Sequence, residues 1–397
     1  MNAIATPLPR EESGLSPLIP LCIAVLFGFL PLGIALGSLP LHLHRDLGIG
    51  DLGVALVIAV QSLSTLLSRQ FAGRLADTHG GRWAVITGLV VSFAAGLVQV
   101  LSALPADATT QLGTLVGARL LLGIGESFVM TGGLGWGMRR FGPTRAGRVM
   151  VWCGISMYAA FAFGAPLGGW MLAQHGFLGV ALVAALASLA GLAAAAMLAY
   201  VAPAGGERLP FSRVIGLVAR CGTGLALASL AFGAMATFVS LMFAARGWGD
   251  TTWSMSLFGA GYIAVRLVGS SWPDRYGGAR IALVSLAVEI VGQLLLWSAP
   301  EAWVAHAGAV LTGVGFSLVF PGFGVEAVKR VPPASRASAM GAYVAFFDIA
   351  LIVCGPVTGV VASRFGYAAV FLAGAIAAAG AGIVAFSLVR KPVTLAA

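Results

Sequence analysis

The chain has 397 residues, of which 59% are apolar and 9% charged, with a formal net charge of +9 and 55 glycines. Soluble globular domains carry about a quarter charged residues, so this composition excludes one. So much glycine suits transmembrane helices that pack through small residues. Apolar runs of about 20 residues, each long enough for the hydrocarbon core, follow one another along the chain. The first six fall at 18–43, 52–75, 83–104, 112–138, 149–173 and 178–201. The second six fall at 216–245, 252–272, 281–299, 304–328, 339–362 and 368–389. A transmembrane barrel shows short alternating segments instead. The expected fold is an all-α membrane protein of 12 transmembrane helices in two pseudo-symmetric six-helix bundles, 1–201 and 216–397, joined by a linker at 202–215. Pro203, Gly205, Gly206 and Pro210 mark the linker.

Orientation follows from the basic residues. Of the 23 Lys and Arg, seventeen fall on the side of the termini and the linker, and only Arg45, Arg246 and Arg364 fall in the opposite loops. Both termini are therefore expected in the cytoplasm of a multi-pass protein of the bacterial inner membrane. The basic balance then needs no nucleic acid, because acidic headgroups attract these loops. The polar start, with Pro7, Pro9, Arg10, Glu11 and Glu12, lacks the charged-then-apolar pattern and cleavage site of a signal peptide, so helix 1 is expected to direct insertion. Cys22, Cys153, Cys221 and Cys354 all fall in apolar runs and read as small packing residues.

One charged turn occurs twice. Gly73, Asp77, Gly80 and Arg82 close the second run, and Asp274, Gly277 and Arg280 close the eighth; Arg69 and Arg266 each precede their aspartate by eight residues. Gly123-Ile-Gly-Glu-Ser in helix 4 is echoed by Gly313-Val-Gly-Phe-Ser in helix 10, and Pro166 in helix 5 by Pro356 in helix 11. These repeats divide the chain into two related halves of six spans each.

These motifs resemble the major facilitator superfamily along the whole chain. The segment 73–82 is similar to its loop 2–3 motif, with Thr78 in place of a basic residue. Arg119, Gly123 and Gly125 resemble its helix 4 motif of proton-coupled members. Gly164–Gly169 resembles its helix 5 antiporter motif, from which Ala165, Trp152 and Phe161 depart. Thr65–Arg69, Gly315–Pro321 and Val288–Ile290 are similar to the bacterial arabinose-efflux-like YhhS/YfcJ branch. The resemblance implies that helices 2 and 11 face each other between the halves and that helix 4 lines the cavity.

Charges inside a bilayer need a partner or a watered cavity. Arg69 lies about 12 Å above the end of helix 2 by helix rise, and Asp348 stands at nearly the same depth in helix 11. An ion pair between them is expected, either switching with conformation or permanent. Arg266 and Glu289 also match in depth and are expected to pair within the second half; Tyr158, the repeat counterpart of Asp348, is the alternative partner of Arg266. Arg119 and Glu126 share a face of helix 4 about 10 Å apart. Glu126, near mid-membrane, reads as a proton carrier, a contact for a cationic substrate, or a carboxyl bonded to neighbouring backbone. Asp77 and Asp274 are expected to latch the N-termini of helices 11 and 5, with Arg82 and Arg280 bracing the turns; a mere topogenic turn is the plainer alternative.

Pro31 and Pro321 are expected to kink helices 1 and 10. Phe27, Tyr158, Phe232, Phe238, Phe316 and Tyr343 are candidate cavity walls, as are Phe29 and Phe320. His42, His44, Asp46 and Asp51 form a weak metal-like cluster at a helix end, and no metal or cofactor is expected. No nucleotide-binding loop and no nucleophile–base set is present, so the chain reads as no enzyme. The function expected is proton-coupled secondary transport, exporting a small polar organic compound; import or facilitation of a sugar, organic acid or siderophore, and a non-transporting receptor or scaffold, are the alternatives. Expected partners are a small-molecule substrate, protons and the lipid bilayer, with no nucleic acid, for a protein acting as a monomer.

Overall fold

The computed structural model describes residues 16–49, 51–104, 107–248 and 252–390. Helices account for nearly all of them. The first half comprises α1 (Ile19–Leu41), α2 (Asp51–His79), α3 (Gly81–Ser102), α4 (Ala108–Phe141), α5 (146–175) and α6 (177–196). Helices α5 and α6 meet at Gly176, whose φ of +63° and ψ of −169° reverse the chain within one residue. Glycine occupies that region without steric cost. The second half comprises α7 (Phe211–Arg246), α8 (Thr252–Gly269), a short helix Trp272–Tyr276, and α9 (Gly278–Ser298). It is completed by α10, in the two segments Ala302–Ser317 and Val319–Val328, then α11 (Arg336–Phe365) and α12 (Tyr367–Arg390).

Nine helical stretches among the described residues are long and apolar enough to cross a membrane. One of them contains both α5 and α6, and α2 and α8 complete twelve crossings. Small residues set the closest approaches. A Cβ on Gly164 would stand 2.7 Å from the Gly33 backbone, which brings α5 hard against α1. The four cysteines are free; Cys22 is half-buried and the other three buried.

The halves touch mainly through α2 and α4 against α11, and through α5 against α10 and the short helix 272–276. Their closest contacts lie toward the side that bears the linker. There α11 is buried from Ala337 to Val344, whereas Ile349, Leu351, Ile352 and Val353 farther along it are exposed. Three consecutive exposed residues span over half a helix circumference, so lipid facing alone does not account for them. The halves part toward the side opposite the linker.

Candidate transport site

Two carboxylates bridge the halves on the linker side by the same device. Asp77 stands two residues past the apolar run of α2 and accepts the backbone N–H groups of Ala337 and Ser338 at 3.0 and 2.9 Å. Asp274 accepts those of Gly147 and Arg148 at 2.8 and 2.9 Å. These donors lie in the first turns of α11 and α5, where no intrahelical carbonyl reaches them and the helix dipole favours an anion. In each latch the carboxylate belongs to one half and the helix end to the other. Gly73 permits the approach, since a Cβ there would stand 2.6 Å from Ser338 Cα. Gly80 and Gly277 turn the chain after each aspartate at φ of +100° and +94°.

Burial raises the Asp77 carboxyl to about 6, against the downward pull of Ser338, Ala337 and Arg208. Burial likewise raises Asp274, opposed by the Gly147 and Arg148 N–H groups. The arginines do not brace their turns as expected, because the glycine backbone makes the turn unaided. Arg82 reaches across to the Ala196 carbonyl at 3.0 Å, and Arg280 is exposed with no hydrogen bond among the described residues. The linker supplies a fastening the sequence did not signal. Arg208 donates to the Asp77 carbonyl at 3.1 Å, and the Leu209 N–H donates to Ser335 Oγ at 3.0 Å.

Deeper between the halves lies a cavity whose polar lining is Arg69, Asp348, Glu126, Arg266, Tyr158 and Tyr262. Arg69 grips Asp348 through two nitrogens, Nε to Oδ2 at 3.0 Å and a terminal nitrogen to Oδ1 at 3.3 Å. Such a fork is the strongest geometry for a guanidinium and a carboxylate, and here it ties α2 to α11. Glu126 accepts from Gln61 Nε2 at 3.1 Å and lies 3.3 Å from Thr65 Oγ1, both on α2. Arg119, two turns away, is buried and makes no ion pair with it; two of its nitrogens lack partners among the described residues.

Arg266 and Glu289 do not pair. Equal depth leaves the facing direction of each helix open, and no hydrogen bond or ion pair joins the two among the described residues. Glu289 faces α10 at Gly315, is fully buried, and both its carboxylate oxygens lack partners among the described residues. Arg266 instead crosses to the other half. Its Nε donates to the Ser317 carbonyl at 3.2 Å and a terminal nitrogen donates to the Val151 carbonyl at 3.3 Å. Its guanidinium carbon lies 4.4 Å from the Tyr262 ring centre, and Tyr262 packs on Tyr158 at 4.6 Å. Two local features admit it. Pro321 has no N–H to give to the carbonyl four residues back, so Ser317 is free to accept, and α10 breaks there at Leu318. Gly154 leaves the space, because a Cβ on it would overlap the guanidinium.

Of the aromatic candidates, Tyr158, Phe316, Phe29 and Phe320 line the cavity. The other four are placed elsewhere. Phe27 packs against Gly191 of α6, and Phe238 lies beside Tyr367. Phe232 stacks behind Phe316 at 5.1 Å, and Tyr343 is fully buried with its hydroxyl on the Phe320 carbonyl. Met130, Met150, Met157 and Phe347 complete the walls and had no sequence signal, since these helices are apolar on every face. His42 bonds Asp46 at 2.6 Å and stacks on Phe177, while the side chains of His44 and Asp51 lie outside the described residues. Glu326 pairs with Lys329 at 2.9 Å and is itself buried.

The sequence profile of the Major Facilitator Superfamily matches residues 21–251 and, overlapping it, 221–396. The chain belongs to the major facilitator superfamily. It is 42% identical over 381 residues to an uncharacterized MFS-type transporter of Salmonella typhimurium, covering 95% of this chain and 98% of that one. A second, from Pseudomonas aeruginosa, is 42% identical over 402 residues and covers 97% of each. Solved structures of the same fold include a bacterial homologue of the iron transporter ferroportin in an outward-facing state, with a TM-score of 0.77 at 13% identity over 94% of this chain and 100% of that chain. The human organic anion transporter MFSD10 gives 0.74 at 15% identity, over 93% and 98%. In this superfamily member the latched linker side and the parted far side leave the cavity open away from the linker.

Proposed function

We propose that this superfamily member is a proton-coupled secondary transporter that exports a small polar organic compound by alternating access across a bacterial inner membrane, with both termini cytoplasmic. The observation that carries this reading is the Arg69–Asp348 fork, which joins the two halves inside the cavity rather than within one half. Opening the linker side separates α2 from α11, and the fork then has to break. A proton can replace Arg69 as the charge partner of Asp348, which links protonation to conformation. Glu126 faces the same cavity and offers a second proton site. Buried charges and paired latches serve motion; a receptor or scaffold has no need of them. Import is the second reading, favoured by Ala165, which departs from the helix 5 antiporter motif.

Purified protein in proteoliposomes, with an imposed pH gradient and a panel of sugars, organic acids and siderophores, tests this. Flux of one class that changes with the gradient is the expected result. Movement of no compound and no proton would leave the scaffold reading.

A further inference from the structure

The charges in the cavity are not equally satisfied. Arg69 has Asp348, and Glu126 has an amide and a hydroxyl beside it. Arg266 is 1% exposed, yet its partners are two carbonyl oxygens and the face of Tyr262. Among the described residues no carboxylate stands within ion-pair distance of it. Carbonyl oxygens hold a guanidinium in place but do not cancel its charge, and a buried charge is retained at high cost without a counter-ion. Two of its five N–H donors are used. The remaining three are enough for a two-pronged contact with a planar anion.

We propose that Arg266 is the anchor for the anionic group of the substrate, and that the compound carried is an aromatic carboxylate. The inference rests on the transporter reading and names its substrate class. The walls supply the rest of the fit. Tyr158, Tyr262, Phe316 and Phe320 present rings, and Met150 and Met157 present flexible apolar chains, which suits a flat apolar body. Asp348 is already engaged by Arg69, so it does not compete for Arg266. The position also suits a mobile site. Arg266 sits on α8 of the second half and donates to Val151 on α5 of the first, so a bound carboxylate is held at the seam between the moving parts.

The probes are 2-naphthoate and cinnamate, each beside its uncharged amide, measured by equilibrium dialysis against the full chain in lipid nanodiscs with empty nanodiscs as blank. Saturable binding of at least one carboxylate, at least tenfold tighter than its amide, is expected. Arg266→Gln removes that preference for the anion, and Arg266→Lys keeps part of it. If Arg266→Gln does not fold, Gly154→Ala displaces the guanidinium without removing its charge and gives the same loss. Equal binding of acid and amide, a preference that survives in Arg266→Gln or in Gly154→Ala, or no saturable binding of either acid overturns the proposal. The transporter reading is scored separately by flux. Gradient-driven movement of a compound other than a carboxylate sinks only the substrate class, whereas Arg266-dependent binding with no flux of any compound sinks only the transporter reading.

Discussion

Asp77 and Ser338 are 261 residues apart in the chain, yet a carboxylate oxygen of one receives the backbone N–H of the other at 2.9 Å. The same relation joins Asp274 to Arg148 at 2.9 Å, so pseudo-symmetry places one latch on each seam between the halves. Four hydrogen bonds from backbone N–H groups to carboxylates thus join the halves on the linker side.

Removing a latch should therefore shift conformation more than fold. Hydrogen bonds to charged groups contribute about 1.5–3 kcal/mol each, partly offset by the water that replaces them. Asp77→Ala or Asp274→Ala is expected to raise the linker-open population by about tenfold or more, equivalent to 1.4 kcal/mol. Accessibility of a single cysteine placed at Ser338 to a membrane-impermeant thiol reagent, in a background lacking the four native cysteines, measures it.

Gly73 should be as sensitive as the aspartate it precedes. A Cβ on it meets Ser338 Cα at 2.6 Å, and overpacking of this kind costs about 1–3 kcal/mol. Gly73→Ala is expected to open the linker side while leaving thermal stability of the separate halves unchanged. A variant as closed as the parent contradicts the packing argument.

The Asp77 carboxyl gives a pH dependence with a definite sign. It titrates near 6 when latched, and an aspartate released into water titrates near 3.9. The latched state binds the proton more tightly, so it gains over the open state as pH falls from about 6 toward 4 and loses that advantage as pH rises through 6. Thiol accessibility on the linker side should drop across that window, and Asp77→Asn should flatten the response.

The buried fork should behave as a unit. Asp348→Asn leaves Arg69 uncompensated, and Arg69→Gln leaves Asp348 so; breaking such a pair costs about 3–5 kcal/mol. The double variant Arg69→Gln/Asp348→Asn is expected to recover most of that loss in thermal unfolding while losing proton-linked transport. If Asp348→Asn alone leaves flux and its pH dependence intact, the proton-linked reading fails.

Glu289 should be dispensable for Arg266. A double-mutant cycle on Arg266→Gln and Glu289→Gln is expected to give a coupling near zero, because the two side chains share no contact, and Glu289→Gln by itself should leave stability unchanged or raised. A coupling above about 1 kcal/mol contradicts the separation.

The duplicated turn made the latches legible, because Asp77 and Asp274 share a spacing to a glycine pair and each precedes a helix of the opposite half. Counting helix rise likewise brought Arg69 to the level of Asp348. The same count misled for Arg266 and Glu289. Rise fixes height but not rotation about the helix axis, and these helices lack the polar face that reveals rotation in a soluble protein. For the same reason Phe27, Phe232, Phe238 and Tyr343 were drawn to the cavity while Met130, Met150 and Met157 were missed. Pro321 was readable as a kink; that its missing N–H frees the Ser317 carbonyl for Arg266 required the third dimension.

Alternation of the two halves is tested most directly by a distance. Spin labels on His79→Cys and Arg280→Cys, both exposed on the linker side and in opposite halves, report it in a background lacking the four native cysteines. Two distance populations are expected in nanodiscs, with the shorter one dominant in the parent and the longer one dominant once Asp77→Ala and Asp274→Ala are combined. One unchanged distance in the parent and the latch variants, from pH 4 to pH 8, would contradict it.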